Sequence, residues 1–288
     1  MNAPNPIRAQ GLHLLRQSVN NPAADFRDGQ WEAIEALVQR RARVLVVQRT
    51  GWGKSIVYFL TTRLLRDQGA GPTLLVSTLL ALMRNQIEAA KRIGIRPATI
   101  NSTMDAAEKD EIKRQLQANS VDVLLISPER FANQEFQDEV LIPLAQKTGL
   151  FVIDEAHCIS DWGHDFRPDY RRIVRVLQRL PENVPVCATT ATANNRVVDD
   201  VVKQLGSGLE VSRGPLVRES LRLQTVPLPD DAVKLAWLAH YLPKFDGSGV
   251  VYALTVRWTE RIAAWIRGRG MRAKSYWSRL HTGPRVTR

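Results

Sequence analysis

Cysteine is nearly absent from this sequence, and its scarcity excludes several classes of protein. The 288 residues include two cysteines, Cys158 and Cys187, which are too few for a disulfide framework or a four-cysteine zinc site. Long apolar runs are missing as well. No stretch approaches the ~20 apolar residues of a membrane span, and no signal-peptide core follows the N-terminus. We therefore expect a cytoplasmic protein that makes no use of a membrane.

Acidic residues are outnumbered by basic ones, which suggests an anionic partner without identifying it. The formal net charge is +11, and 31 of the 40 basic residues are arginine. Arginine binds phosphates in a bidentate manner, so nucleic acid is a natural partner. A solvated basic surface, encoded by a genome that favours arginine codons, explains the same composition equally well. In the basic stretch 257–288, Trp258 and Trp265 follow helical spacing, which favours core packing over a nucleic-acid arm.

Short β-branched runs alternate with longer amphipathic stretches along most of the chain. Continuous apolar strands with helical crossovers are typical of an α/β fold, with a parallel sheet covered by helices on both faces. The predicted strands are residues 44–47, 73–77, 121–127, 150–153 and 184–190. The predicted helices are residues 7–19, 29–41, 54–67, 79–93, 105–117, 134–146 and 169–180.

A second and incomplete α/β unit is predicted after a stretch of glycine, proline and charge near residues 206–220. We place the domains at residues 1–208 and 209–288. The predicted elements of the second unit are strands at 221–228 and 249–254 and helices near 230–242 and 257–268.

The loop after the first predicted strand lacks the first glycine of the phosphate-binding pattern G-x-x-x-x-G-K-[ST]. Gln48 stands there in the stretch QRTGWGKS. The other residues keep the chemistry, since the N–H groups of Gly51 and Gly53 and the N-terminus of the next helix can bind phosphate oxygens. Lys54 can neutralise the β- and γ-phosphates, and the Ser55 hydroxyl can bind Mg²⁺.

Two acidic residues, Asp154 and Glu155, follow directly after a fully apolar predicted strand. Burying acids there is costly unless a cation compensates them, and ligands of open α/β sheets lie at the carboxyl ends of the strands. Asp154 would hold Mg²⁺ together with Ser55, and Glu155 would orient or deprotonate the attacking water. A GKS tripeptide alone also occurs by chance, but the two motifs in one α/β unit predict a Mg·ATP site.

Six sequence blocks, in this order, resemble the successive motifs of RecQ-type DNA helicases. They lie within residues 20–205 and read FRDGQWEAI, TGWGKS, STLLALMRNQ, LLISPERF, VIDEAHCISDWGHDFRPDYRRI and ATTATA. The resemblance implies a RecA-like P-loop NTPase domain followed by a partial second RecA-like domain, which SGVVYALT at 248–255 would open. It also implies ATP-dependent 3′ to 5′ unwinding of DNA, with ATP and Mg²⁺ as cofactors and DNA as the partner.

The resemblance assigns further residues to ATP. Gln30 would form a two-point hydrogen bond with adenine, and Arg27 would stack on the face of the base. Family members often carry an aromatic residue three positions before the phenylalanine of FRDGQ, and Ala23 stands there. Thr50 completes the phosphate loop, in which Trp52 occupies a free position where only its backbone is used.

The stretch HCISDWGHDFRPDY resembles the aromatic-rich loop that links single-stranded DNA binding to ATP hydrolysis in that family. Aromatic side chains in such a loop act as stacking platforms for bases, although ordinary loop packing is the alternative. His157, with Thr190 and Thr192 of TTATA, would connect the nucleotide site to the DNA side. The residues implied on the DNA side are Trp162, His164, Phe166 and Arg167.

The later motifs of the second motor domain have no counterpart in this sequence, including the arginine that reaches the γ-phosphate. Such an arginine is worth roughly 10³–10⁵ in rate. We therefore expect the chain to bind ATP far better than it turns ATP over, as a truncated or frame-shifted gene product would. Two alternatives stay open: a DEAH-type RNA helicase, and a non-catalytic protein that binds ATP and nucleic acid.

Overall fold

The computed structural model describes residues 5–77, 84–100, 104–160, 168–206, 208–216 and 221–277. The chain divides into two compact units, Met1–Arg218 and Glu219–Arg288. Within the described residues, every helix is too short or too polar to span a bilayer.

The first unit is built on a parallel sheet of seven strands, in the order β3-β4-β2-β5-β6-β1-β7. Its central strands are the apolar runs that the sequence predicts, so the predicted parallel sheet is confirmed. The strands are β1 (Arg43–Val47), β2 (Thr73–Val76), β3 (Pro97–Ile100), β4 (Val123–Ile126), β5 (Leu150–Ile153), β6 (Val186–Thr190) and β7 (Leu209–Arg213).

Helices cover both faces of this sheet, as the continuous apolar strands require. Alternate residues of β1 enter different cores: Val44 and Val46 pack in the cluster that contains Trp31, whereas Leu45 and Val47 pack in the other. The helices are α1 (Pro6–Ser18), α2 (Gln30–Gln39), α3 (Lys54–Asp67), α4 (Arg84–Arg92), α5 (Ala106–Gln117), α6 (Gln134–Phe136), α7 (Ile142–Ala145), α8 (Pro168–Leu177) and α9 (Asn195–Leu205).

The helix predicted at 134–146 is interrupted. A π-helical turn, Gln137–Leu141, separates α6 from α7. Pro143 lies at the start of α7 and has no N–H to donate to a carbonyl of the preceding turn, which explains why regular α-helical bonding does not run through this region.

Both edge strands are absent from the sequence-based prediction. β3 begins with Pro97 and is half-buried along three of its four positions, and β7 is mostly exposed, so neither shows the apolar run that marks a central strand. β7 pairs with β1 over its whole length, from Arg43 opposite Leu209 to Val47 opposite Arg213. The predicted start of the second domain at residue 209 therefore falls inside the first sheet, and the chain divides ten residues later.

The second unit contains the two predicted helices, α10 (Asp231–Tyr241) and α11 (Val256–Arg267). The indole N–H of Trp265 donates to the carbonyl of Leu235 at 2.9 Å, so Trp265 joins the helices as the core interpretation expects. The strands predicted at 221–228 and 249–254 are not formed, because neither segment pairs with another strand in the described residues. Their apolar side chains stay exposed, including Leu223 and Leu254.

Candidate nucleotide-binding site

The two predicted motifs lie close together because of the strand order. β6 lies between β1 and β5, so the loop after β1 and the DEAH segment after β5 flank the end of β6. The register places Val47 beside Thr190 and Ile153 beside Ala188, at the carboxyl edge where ligands of such sheets bind.

The loop after β1 has the backbone shape of a phosphate cradle. Gly51 and Gly53 both adopt left-handed backbone conformations, with φ of 83° and 101°. Residues other than glycine rarely adopt such conformations. Lys54 is the first residue of α3, and its ammonium donates to the carbonyl of Gln48 at 3.0 Å. Ser55 follows in the first turn of α3. The loop thus presents N–H groups, a helix N-terminus and a lysine in one place.

Gln48 occupies the position of the missing glycine without opening the loop. Its N–H donates to the carbonyl of Thr190 at 3.0 Å, which continues the pairing of β1 and β6 beyond the last registered residue. Its side chain is buried against Gly214, where a Cβ would approach the Gln48 amide oxygen to 2.4 Å. A side chain is therefore tolerated at position 48 because a glycine faces it from the chain after β7.

Gln30 and Arg27 are attached to the phosphate loop. The side-chain amide of Gln30 donates to the carbonyl of Trp52 at 2.9 Å and accepts from the backbone N–H of Arg27 at 2.8 Å. The Arg27 guanidinium donates to the carbonyl of Gly51. A Cβ at Gly53 would lie 2.6 Å from the Gln30 amide nitrogen, so this glycine is required by close approach as well as by its φ. Both residues expected to read adenine thus lie beside the phosphate loop.

Trp52 differs from the expectation that only its backbone is used. Its side chain is buried and packs with the core on the α2 side of the sheet. It also lines a pocket of about 600 Å³ together with Arg27, Asp28 and Gly29. The remaining pocket-lining residues are Gln48, Arg49, Ser212, Arg213, Gly214 and Pro215.

Asp154 directly follows β5, is half-buried and is held by its neighbours. The Thr189 hydroxyl donates to Asp154 Oδ1 at 2.6 Å, and the Glu155 N–H donates to the same oxygen at 3.1 Å. Burial raises the pKa of Asp154 above its ordinary value, and the Glu155 carboxylate adds to that rise. The Thr189 bond, the Glu155 N–H and the Lys54 charge lower the pKa and offset the rise only in part.

The residues present fit a divalent cation at this point. Asp154 is a carboxylate whose ionised form is disfavoured by burial, and neither described hydrogen bond from Thr189 or Glu155 uses its second oxygen, Oδ2. Ser55 supplies a hydroxyl on the phosphate-loop side. Carboxylate and hydroxyl oxygens are the ligands that Mg²⁺ prefers, usually alongside substrate phosphates.

His157 connects the acidic segment to β6. Its Nδ1 lies 3.0 Å from the Thr190 hydroxyl and 3.2 Å from a carboxylate oxygen of Glu155. Glu155 adopts a left-handed backbone with φ of 53°, a conformation uncommon for residues other than glycine. His157 and Thr190 are both buried. Thr192, in contrast, is exposed, and its described contact with Thr190 uses its backbone N–H at 3.3 Å.

Two residues that hydrogen-bond Asp154 were missed by the sequence-based assignment. Thr189 bonds its carboxylate, and the Tyr170 hydroxyl donates to its backbone carbonyl at 3.0 Å. Adjacent threonines at the end of a buried strand point to opposite faces, so Thr189 and Thr190 serve different partners. Two polar residues at the end of the apolar run VCATT were a usable signal for Thr189. The predicted DNA residues Trp162, His164, Phe166 and Arg167 lie outside the described residues.

Comparison with known proteins shows the family to which the chain belongs. Residues 27–201 match the profile of the DEAD/DEAH box helicases. The match spans more than half of the chain and includes the phosphate loop and the DEAH segment. The chain belongs to the DEAD/DEAH box helicase family.

Curated relatives of the chain are RecQ-type helicases, as the sequence resemblance predicts. The ATP-dependent DNA helicase RecQ of Bacillus subtilis (strain 168) is 35% identical over 254 residues, which cover 87% of this chain and 41% of the relative. The ATP-dependent DNA helicase Q-like 4B of Arabidopsis thaliana is 35% identical over 270 residues, covering 91% of this chain and 23% of the relative. The chain thus spans less than half the length of these two relatives.

Solved structures agree with the RecA-like fold. The DEAD-box helicase Mss116 bound to ssRNA and UDP-BeF matches with a TM-score of 0.70 at 13% identity, covering 91% of this chain and 57% of that chain. The Mycobacterium smegmatis helicase Lhr bound to ssDNA and AMP-PNP matches with a TM-score of 0.64 at 18% identity, covering 90% of this chain and 36% of that chain. At such low identity these likenesses show the fold alone, and the predicted fold class is confirmed.

Proposed function

We propose that the first unit binds Mg·ATP at the carboxyl edge of its sheet and serves as the ATP-binding half of a DNA helicase of RecQ type. In the whole protein, ATP hydrolysis would be coupled to movement along single-stranded DNA in the 3′ to 5′ direction and to unwinding of duplex DNA. The names of the curated relatives, both ATP-dependent DNA helicases, support DNA as the partner.

The observation that carries this proposal is the bridging position of Thr190. Its backbone carbonyl accepts from Gln48 at the base of the phosphate loop, and its hydroxyl contacts His157 of the DEAH segment. One buried residue therefore contacts both nucleotide motifs. A structural protein with a chance GKS tripeptide has no need of that arrangement.

Each residue of the site has a chemical task in this proposal. Lys54 neutralises charge on the β- and γ-phosphates, and Gly51 and Gly53 provide N–H groups to phosphate oxygens. Ser55 and Asp154 hold Mg²⁺, which supplies charge neutralisation between the phosphates when it is bound. Glu155 orients or deprotonates the attacking water.

Base recognition uses the N-terminal part of the unit. The side-chain amide of Gln30 uses one N–H for the Trp52 carbonyl and one oxygen lone pair for the Arg27 N–H. A primary amide has a second N–H and a second lone pair, which can bond the edge of adenine. Arg27 lines the same pocket as Trp52, where its guanidinium can stack on the base.

The DNA side of the proposal depends on residues predicted from the sequence. Trp162 and Phe166 would stack on bases, with His164 and Arg167 beside them, and the path from nucleotide to DNA would run through His157 and Thr190. Stacking on such residues is worth roughly 1–3 kcal/mol per base. Alanine at both Trp162 and Phe166 should weaken single-stranded DNA binding at fixed salt while Mg·ATP binding stays nearly intact.

Turnover by the 288-residue polypeptide is proposed to be slow. The arginine that reaches the γ-phosphate belongs, by resemblance, to later motifs of the second motor domain, and such an arginine is worth roughly 10³–10⁵ in rate. Steady-state hydrolysis at saturating single-stranded DNA should therefore lie far below ~10 s⁻¹, the ordinary median for enzymes. A rate near that median would contradict slow turnover.

Competition between nucleic acids tests the proposed partner. Fluorescence anisotropy would compare single-stranded DNA and RNA of matched sequence with the full chain at one salt concentration, with and without Mg·AMP-PNP. We expect tighter binding of DNA and a change in DNA affinity when the nucleotide is bound. Preferential, nucleotide-dependent binding of RNA would instead support an RNA helicase, and binding of DNA that ignores the nucleotide would support a non-catalytic binding protein.

A further inference from the structure

We propose that the indole ring of Trp52 forms a wall of the adenine pocket and supplies the aromatic contact that position 23 lacks. The inference rests on the proposed function, because it assigns a further residue to recognition of the ATP base. Phosphate binding alone needs only the backbone at position 52, so it gives no reason for a large aromatic side chain there.

The backbone of Trp52 is fixed beside the two residues expected to read adenine. Its carbonyl accepts from the Gln30 amide at 2.9 Å, and its N–H donates to the carbonyl of Arg49 at 3.2 Å. The preceding residue, Gly51, accepts from the Arg27 guanidinium. The side chain of Trp52 therefore starts from a point that Gln30 and Arg27 both reach.

The indole ring extends from this point into the wall of the pocket. Its Cζ2 lies 3.8 Å from the position that a Cβ on Gly29 would take, so the ring packs under the turn that precedes α2. Only 6% of the residue is exposed, and that residue lines a pocket of about 600 Å³ shared with Arg27. Pockets of this size are typical of small-molecule sites.

The composition of the pocket fits a flat aromatic ligand with an anionic tail. Trp52 offers an aromatic surface, and Arg27 offers a planar guanidinium, two groups that contact the faces of nucleobases. Gln30 is attached to both by hydrogen bonds and has polar capacity for the base edge. Trp52 itself lies in the phosphate loop, between Gly51 and Gly53. Ala23, at the position of the family's aromatic residue, is exposed and offers a single methyl group.

The test separates the base from the phosphates. Calorimetric titrations of the full chain and of Trp52→Leu would use Mg·ATP and, separately, Mg·tripolyphosphate, which has phosphates but no base. We expect Trp52→Leu to weaken ATP binding roughly 5- to 150-fold, the range for loss of one stacking contact. Tripolyphosphate binding should stay within about twofold of the wild type.

Several results would overturn the inference. An unchanged ATP affinity, or an equal loss for both ligands, would show that Trp52 acts as core or loop support rather than on the base. The matched control is Trp265→Leu, at a half-buried tryptophan of the second unit. This substitution should change neither the ATP affinity nor the tripolyphosphate affinity. If wild type binds tripolyphosphate but not ATP, the base pocket is wrong; if it binds neither, the proposed function itself fails.

A conservative variant keeps the test decisive if Trp52→Leu does not fold. Trp52→Phe retains an aromatic ring in the core and removes the indole fluorescence of this position. We expect ATP to change the tryptophan emission of the wild type, with little change from tripolyphosphate, and the ATP response should be lost in Trp52→Phe. An identical ATP response in both proteins would overturn the inference.

Discussion

The Nδ1 atom of His157, the last residue of the DEAH segment, lies 3.0 Å from the hydroxyl of Thr190, the last residue of β6. Both residues are buried. Thr190 also receives the N–H of Gln48 on its carbonyl. Under the proposed function, Thr190 would link the phosphate loop to the DEAH segment. Such a link produces allosteric coupling when its contacts differ between the nucleotide-bound and nucleotide-free states.

Thr190→Val should reduce this coupling without removing the nucleotide. Valine keeps the shape and the backbone bond to Gln48 but removes the hydroxyl that contacts His157. We expect Mg·ATP affinity within about twofold of wild type, and a ~2- to 10-fold smaller effect of Mg·AMP-PNP on single-stranded DNA affinity, the scale of one hydrogen bond. Anisotropy with and without nucleotide measures it.

The control for that variant is Thr148→Val. Thr148 is also buried, and its hydroxyl bonds the Leu144 carbonyl at 2.9 Å, at the opposite edge of the sheet just before β5. Its replacement should lower stability by a similar amount and leave the coupling unchanged. Equal loss of coupling in both variants would mean that general destabilisation, not the His157 contact, is responsible.

Asp154→Asn should stabilise the protein without nucleotide while it abolishes Mg·ATP binding. Since the folded pKa of Asp154 is raised by burial, the wild type loses stability as pH rises through that value, and asparagine avoids this loss. Asparagine can still accept the Thr189 and Glu155 bonds through Oδ1. We expect a higher Tm at neutral pH, ~2–4 °C for each kcal/mol.

The pH profile checks the origin of that gain. The Tm difference between Asp154→Asn and wild type should shrink as pH falls to the ordinary aspartate pKa of ~3.9, where both states of the wild type become protonated. Asp138→Asn, at an exposed aspartate, is the control and should show neither the gain nor its pH dependence. A gain that does not depend on pH would rule out the buried charge as its cause.

Replacement of Asp122, at the amino edge of the sheet, should lower the stability of the fold without changing the affinity for nucleotide. Its carboxylate receives Arg66 Nε at 2.7 Å and Arg96 Nε at 2.9 Å. Burial alone would raise the pKa of Asp122, but the bonds from Arg96 and Arg66 outweigh it and hold the pKa at about 2. The stabilisation of the fold by ionised Asp122 is present above the ordinary aspartate pKa and is lost as pH falls from ~5 to below 2.

Asp122→Asn should therefore lower the free energy of unfolding at neutral pH by about 2 kcal/mol. This magnitude follows because the folded protein holds the pKa of Asp122 nearly two units below its ordinary value. Urea unfolding at pH 7 and pH 3 measures the loss, which should be smaller at pH 3. Mg·ATP affinity should stay unchanged because Asp122 precedes β4, at the edge opposite the phosphate loop. A change in ATP affinity comparable to the stability change would contradict this separation.

The nucleotide motifs could be predicted from the sequence because their chemistry depends on short local patterns. The apolar run of β1 followed by Gly51, Gly53 and Lys54 indicates a strand, a tight turn and a helix N-terminus without any knowledge of the remaining fold. The two acids after β5 are visible in the same way. Alternation of strands and helices predicts a parallel sheet, in which both motifs follow the carboxyl ends of strands. The strand order, with β6 between β1 and β5, then brings them together.

The parts that sequence missed depend on tertiary contacts or on exposure. β3 and β7 are edge strands, so they carry too few apolar residues to stand out. The bond from Thr189 to Asp154 exists only because β6 pairs with β5. The burial of the Trp52 side chain depends on the core residues that surround it on the α2 side of the sheet. The prediction of strands at 221–228 and 249–254 was wrong because an apolar run forms a strand only where another strand pairs with it.

The most direct test of the nucleotide site is calorimetric titration of wild type, Lys54→Ala and Lys91→Ala with Mg·ATP. Lys54 donates to the Gln48 carbonyl inside the loop, whereas Lys91 is an exposed lysine of α4 paired with Glu88. We predict saturable binding by wild type and by Lys91→Ala, and affinity ~10- to 150-fold weaker for Lys54→Ala, the scale of one charged hydrogen bond. All three proteins should unfold at similar temperatures. Equal affinities for wild type and Lys54→Ala would contradict the assignment of this loop as the phosphate-binding site.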